Sequence, residues 1–284
     1  MHHFRHIASL LLCFQLSACA SMFSSVTQDM ANNLSQAILN QNDLETVKAG
    51  APAYLIMIDS LIQGDPENSA ILISGSKLYA SYTSAFVEDE ERAKRLAQKS
   101  YDYAHNALCI ELKALCQSLD KKPDELIPLL KKINVTQQPL LYDFASAWAN
   151  WIQINRDDWN AIAQIPKLQL LFQRSIELNE TYDYGNAHLY LGVLASQIPP
   201  SLGGKPEVGR MHFEKAQQLS EGKNLMVNVL FAEYYARLVF DQQLHDELLN
   251  EVINTDIDDK GLVLINTLAR KRASILLDES SEYF

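Results

Sequence analysis

Long apolar runs are scarce in this 284-residue sequence, and the leading one, from Ile7 to Leu16, is short. A helix needs roughly 20 apolar residues to cross a hydrocarbon layer of ~30 Å, so that run does not make a membrane span. Sustained apolar–polar alternation is missing too, which excludes a fold built on half-buried strands. Positive charge is in deficit: 24 Lys and Arg face 35 Asp and Glu, a formal charge of −11. Nucleic acid and anionic lipid are held through basic patches, so neither is an expected partner by charge. With 10 Gly, 9 Pro, 48% hydrophobic residues and no low-complexity segment, the chain has the material for a large packed core of one or two domains.

Signatures of chemistry are also absent. Gly203-Gly204-Lys205 invites a phosphate-loop reading, but Pro199 stands where the first glycine belongs and Pro206 where the hydroxyl belongs. The glycines read instead as the end of an inserted turn, with Pro206 opening the next helix. Asn254 to Gly261 resembles a calcium loop only in acidity, because counting from Asp256 places Thr267 where a bidentate Glu is required. It reads as an acidic turn between helices. His105, His188, His212 and His245 form no H-x-x-x-H pair, and His245-Asp246-Glu247 reads as a solvated helix start. No catalytic residue, cofactor or metal is therefore expected.

What is present begins at the amino terminus. Residues 1–18 carry Arg5, the short apolar run and then small residues, the pattern of a signal peptide. Leu16-Ser17-Ala18-Cys19 resembles the lipobox of bacterial lipoproteins, which implies cleavage before Cys19 and lipid on that residue. Several acyl chains at one end hold a soluble body on a membrane surface. Ala20 and Ser21 follow, with no Asp after the cysteine; in the sorting pattern of Gram-negative lipoproteins this points to the outer membrane, facing the periplasm. Residues 19–42 read as the lipidated end and a tether, and 43–284 as the helical body.

Beyond Cys13 in the leader and Cys19, two cysteines remain, Cys109 and Cys116, in a compartment that permits a disulfide. Seven residues of unbroken helix rise ~10.5 Å, whereas bridged Cα atoms lie within roughly 7 Å. A bridge therefore requires the helix to break between them; the alternative is two thiols on one helical face.

From Asp43 onward the periodicity is helical. Residues 93, 96, 97, 101, 104, 107 and 108 mark one face of a helix whose acidic start suits the positive end of its dipole. Pro52, Pro66, Pro123 and Pro206 punctuate helix starts. Phe172-Gln173-Arg174-Ser175-Ile176-Glu177-Leu178 and Phe213-Glu214-Lys215-Ala216-Gln217-Gln218-Leu219 share F-x-[RK]-[SA]-x-x-L at an offset of 41, a 34-residue tetratricopeptide period plus the insert 198–204. The expected fold is all-α, an α-solenoid of degenerate helical hairpins.

Aromatic residues are the strongest candidates for binding. Tyr79, Tyr82 and Phe86 fall on one helical face, and Tyr234-Tyr235 sit in the nearly apolar helix 224–240. Trp148, Trp151 and Trp159 crowd a third region. They are either core residues or the lining of a groove for an apolar ligand or partner segment.

Stretches from about residue 50 to the end resemble the T component of tripartite ATP-independent periplasmic (TRAP) transporters, the TatT-type family of helical-repeat lipoproteins. The particular residues are Ser201-Leu202-Gly203-Gly204-Lys205-Pro206, His212-Phe213-Glu214-Lys215-Ala216 and Gly222-Lys223-Asn224-Leu225-Met226. The region 109–135 matches least. The resemblance implies a non-enzymatic adaptor that docks the transporter's periplasmic substrate-binding protein, with a small apolar ligand and a homo-oligomer as further expected partners. It carries over no catalytic residues, only the lipidated Cys19. The rival readings are a carrier of hydrophobic molecules and an outer-membrane assembly scaffold unrelated to TRAP transport.

Overall fold

A computed structural model describes residues 36–197 and 204–284, and among these residues there is no strand. The expected signal peptide, Cys19 and residues 198–203 of the expected insert 198–204 lie outside the described residues. Helix α1, Leu44–Gly64, starts where the Asp43 carboxylate accepts the free N–H groups of Glu45 and Thr46. Its buried face is Val47, Ala51, Leu55, Ile58 and Ile62, a three-and-four spacing. Pro52 lies inside this helix, not at its start. It costs one i→i−4 hydrogen bond, which the apolar face on both sides of it outweighs.

Helix α2, Ser69–Phe86, capped by Asn68, and α3, Glu90–Glu111, capped by Asp89, form the closest-packed hairpin. The facing side of α3 is made of small residues, Ala93, Ala97, Ser100, Ala104 and Ala107. Backbones can then approach until Ser100 Oγ donates to the Ser76 carbonyl at 2.8 Å. A Cβ on Gly75 would meet the tip of the Ile62 side chain, Cδ1, at 2.8 Å, so a larger residue where α1, α2 and α3 meet would have to push that tip aside.

The α3 helix stops at Leu112, whose φ of −123° and ψ of 51° are non-helical, and α4, Lys113–Cys116, restarts at once. That break brings the Cα atoms of Cys109 and Cys116 to 5.0 Å, and their sulfurs are bonded.

The chain continues through α5, Pro123–Leu130, α6, Gln138–Ile154, the single turn α7, Trp159–Ile162, and α8, Ile165–Leu178. Then follow α9, Asn186–Ala195, and α10, Pro206–Leu219, with Pro206 in its first turn. Helix α11, Met226–Leu230, runs on into a π-helix at Phe231–Ala236, where the sequence pattern implies one continuous α-helix. Finally α12, Gln242–Asn254, and α13, Val263–Asp278, make a hairpin, and α14, Ser280–Tyr283, closes the chain.

Each long helix packs on the next: α1 on α2, α2 on α3, α3 on α6, α6 on α8, α8 on α9, α9 on α10, and α12 on α13. This succession is compatible with a solenoid of hairpins. The row also returns to its beginning, because α13 packs against α1 and the Gly261 N–H donates to Asn40 Oδ1 at 2.7 Å.

The 41-residue offset has a physical meaning. Phe172 and Phe213 are both fully buried. Phe172 stacks on Tyr190 with centroids 4.6 Å apart, and Phe213 stacks on Phe231 at 5.0 Å. Tyr190 and Phe231 are themselves 41 apart, so one packing unit occurs twice.

Candidate functional site

A cleft of about 380 Å³ opens where the end of α6 and the turn α7 face the π-helix, which is within the size range of small-molecule sites. Ile152 of α6 and Ile162 of α7 supply one apolar wall, and Leu238 the other. The π-helix sets what else points in. Arg237 N–H donates to the Ala232 carbonyl at 3.1 Å and Asp241 N–H to Ala236 at 2.9 Å, both five residues back. With that wider turn Phe231, Ala232, Tyr235 and Ala236 go into the core, while Glu233, Tyr234 and Arg237 line the cleft. Such π turns recur at functional sites because they re-aim side chains at a cost in backbone geometry.

The charges in the cleft are unevenly paired. Glu233 is held by Arg272, whose guanidinium lies 2.6 Å from Oε1. Arg237 reaches Glu279 at 3.2 Å and lies 4.5 Å over the Tyr283 ring, yet its Nε is buried with no partner. Ser196 stands at the edge of the cleft, but its buried, unpartnered Oγ lies against Gly209 of α10. Arg156 is exposed and, among the described residues, makes no ion pair or hydrogen bond. Its two carboxylate neighbours are engaged elsewhere: Asp157 with Lys94 at 3.1 Å, Asp158 with the Asn160 N–H at 2.8 Å. Tyr234 accepts a hydrogen bond from Gln153 Nε2 at 3.2 Å. Burial raises its phenol pKa, and Glu233 adds to the rise against Arg272 and Arg156.

The aromatic residues singled out from the sequence are divided by the fold. Tyr79, Tyr82 and Phe86 pack with α1 and α3, whereas Tyr234 and Tyr235 belong to the core around α10 to α13. Tyr79, Tyr82 and Tyr235 are buried, so they are core residues and not groove anchors. Their hydroxyls are spent inside the fold: Tyr79 on Asp59 at 2.8 Å, Tyr235 on Glu207 at 3.0 Å. Phe86 is half-buried against Tyr82. Of the five, Tyr234 alone lines the cleft. Among the tryptophans, Trp148 is buried and Trp159 is 84% exposed.

Two other clusters hold titratable groups. His188 Nδ1 and His212 Nδ1 are 2.8 Å apart, and His188 Nε2 lies 3.2 Å from Glu180. For neutral rings the consistent arrangement has His188 Nε2–H donating to Glu180 and His212 Nδ1–H donating to His188. Burial lowers both pKa values, that of His212 to about 4, with the neighbouring imidazole adding to the effect. In the second cluster, His105 Nε2 stands 3.7 Å from Cys109 Sγ and 3.8 Å from Cys116 Sγ. His105, Cys109 and Cys116 are the group of metal-capable side chains found close together among the described residues, and the disulfide occupies both sulfurs.

His245, expected to be solvated, is fully buried. Its Nδ1 faces Asp246 at 2.8 Å and its ring packs on Phe284. A terminal aromatic residue covers what the polar local sequence implied was open.

Sequence reasoning missed Arg156, Arg237 and Ser196. They come from three separated segments, and the i→i−5 turn before Arg237 leaves no periodic mark in the sequence.

A family model for the TRAP transporter T-component matches residues 40–284. The chain belongs to that family, a transport-associated component and not a known enzyme family. A role tied to TRAP transport and a place in the cell envelope follow from that membership. No curated protein matches the chain. No helix among the described residues is long and apolar enough to cross a membrane.

Proposed function

We propose that this protein is a lipid-anchored adaptor on the periplasmic side of the envelope. Through lipid on Cys19, at the outer membrane, it holds the substrate-binding protein of a TRAP transporter near the membrane surface. The observation that carries this reading is the family match across 40–284, essentially the whole helical body. Two further features support it. The acidic body offers no charge-based hold on anionic lipid, so the lipobox cysteine supplies the membrane link. The exposed Trp159 beside the cleft is the type of aromatic anchor that dominates protein interfaces, and Tyr234 is the candidate anchor kept from the aromatic set.

The test is cross-linking in the native envelope followed by capture of the lipidated protein, with Cys19→Ser as the unanchored control. Recovery of a TRAP substrate-binding protein, reduced in the control, is the expected result. Recovery of outer-membrane assembly proteins alone would replace the adaptor by the scaffold reading.

A further inference from the structure

We infer that His105, Cys109 and Cys116 form a redox-gated zinc site, in which a zinc(II) ion replaces the disulfide once the bridge is reduced. The inference goes beyond the adaptor reading and does not depend on it, since it concerns the end of α3 and not a partner protein.

The argument starts from distance. Zinc holds sulfur at ~2.3 Å and imidazole nitrogen at ~2.0 Å, which at the tetrahedral angle sets the two ligand atoms about 3.6 Å apart. A single nitrogen, His105 Nε2, lies 3.7 Å from Cys109 Sγ and 3.8 Å from Cys116 Sγ. The imidazole therefore already stands at ligand-to-ligand spacing from both sulfurs. Only the sulfurs have to part, to about 3.8 Å from each other. The two Cα atoms are 5.0 Å apart across the break at Leu112, so a turn about one Cα–Cβ bond supplies that separation without unwinding α3.

The way His105 is held is the second observation. Its ring stacks on Tyr101 with centroids 5.7 Å apart and planes 23° apart, and Phe144 packs beside it at 6.3 Å. Among the described residues the polar contacts of its nitrogens are with the two sulfurs alone. A disulfide needs no imidazole beside it, whereas a metal held by two thiolates needs a third donor. All three residues are half-buried, so a reductant and an ion reach them, and bridges open to solvent are the more labile ones.

The conversion balances in two steps. A dithiol reductant exchanges with the bridge, gives up two electrons and two protons and leaves as a disulfide, while Cys109 and Cys116 become thiols. Zinc then binds both sulfurs as thiolates, and the two thiol protons pass to solvent. Water takes the fourth position, and the two thiolates neutralise the charge of the ion.

The test uses the full-length protein extracted from membranes and treated with a phosphine. The phosphine opens the bridge, takes oxygen from water and leaves as phosphine oxide, adding no thiol of its own. Titration of free thiols follows the opening, competition with a chromogenic chelator follows zinc, and cobalt(II) serves as a coloured stand-in. The reduced protein should keep its helical circular-dichroism spectrum and take up one zinc that neither the oxidised protein nor Cys116→Ser takes up. Its cobalt form should show a thiolate charge-transfer band. His105→Gln should still form the bridge but bind zinc at least roughly tenfold more weakly when reduced, since loss of even an outer partner of a metal ligand costs that much. The inference is overturned by a bridge that resists the phosphine in the folded protein, or by loss of the helical spectrum on reduction. Equal zinc uptake by the oxidised protein or by Cys116→Ser, a cobalt form without the thiolate band, or undiminished binding by His105→Gln overturns it too. No uptake at micromolar free zinc does the same, leaving a bridge with a structural role alone.

Discussion

Phe172 lies flat against Tyr190, with ring centroids 4.6 Å apart and planes 9° apart. One repeat further on, Phe213 lies against Phe231 at 5.0 Å and 12°. The pair is thus a joint of the hairpin stack, contributed by the second helix of one hairpin and the helix that follows it.

Removing the phenyl ring from either joint should be costly. Phe172→Ala and Phe213→Ala each leave a cavity at a fully buried position, and a loss of about 3–5 kcal/mol is expected for each. Urea denaturation followed by circular dichroism checks this. A loss under about 1 kcal/mol at either site would show that the joint collapses without it.

The Cys109–Cys116 bridge closes a short loop across the break at Leu112. Loop-closure entropy for so short a ring is worth about 2–3 kcal/mol. A reductant should therefore lower the denaturation midpoint of the natural protein and leave that of Cys116→Ser unmoved. Equal responses of the two would mean that the thiols are not bridged in solution.

Acid should act through the His188–His212 pair. Both folded pKa values lie below the ordinary histidine value of 6.5 because of burial, so between pH 6.5 and about 4 the unfolded chain binds more protons than the folded one. Stability from this source is complete above pH 6.5 and falls as pH drops toward 4. His105, also lowered by burial, adds a loss of the same sign. The melting temperature of the natural protein should therefore fall more steeply over this window than that of His212→Gln. Parallel curves would remove the pair from the acid response.

Close approach of α9 and α10 depends on Gly209. A Cβ there would lie 2.2 Å from Ser196 Oγ and 3.1 Å from the Gly192 carbonyl. Gly209→Ala should cost about 1–3 kcal/mol, the usual penalty for overpacking, and adding Ser196→Ala should return part of it. Thermal unfolding of the single and double variants reads both effects, and a neutral Gly209→Ala would show that the helices separate freely.

Much of this fold is legible in the sequence because its signals are local. Asp43, Asn68 and Asp89 are acceptor side chains that cap helices, and the repeat at 172 and 213 marks equivalent buried positions. The cleft is less legible, since Arg156, Ser196 and Arg237 meet only through a tertiary arrangement. Tyr79 and Tyr82 illustrate the converse: an aromatic face at helical spacing is the same pattern whether it meets solvent or a neighbouring helix, and here α1 and α3 cover it. His245 was hidden by its polar neighbours because Phe284, which buries it, comes from the far end of the chain.

The Gly261–Asn40 contact bears on how this body carries a load. An open stack of hairpins exposes an apolar face at each extremity and needs a polar cap on both. With α13 touching α1, a pull applied through the amino-terminal end reaches the turn of the last hairpin as well as the first hairpin, through that hydrogen bond.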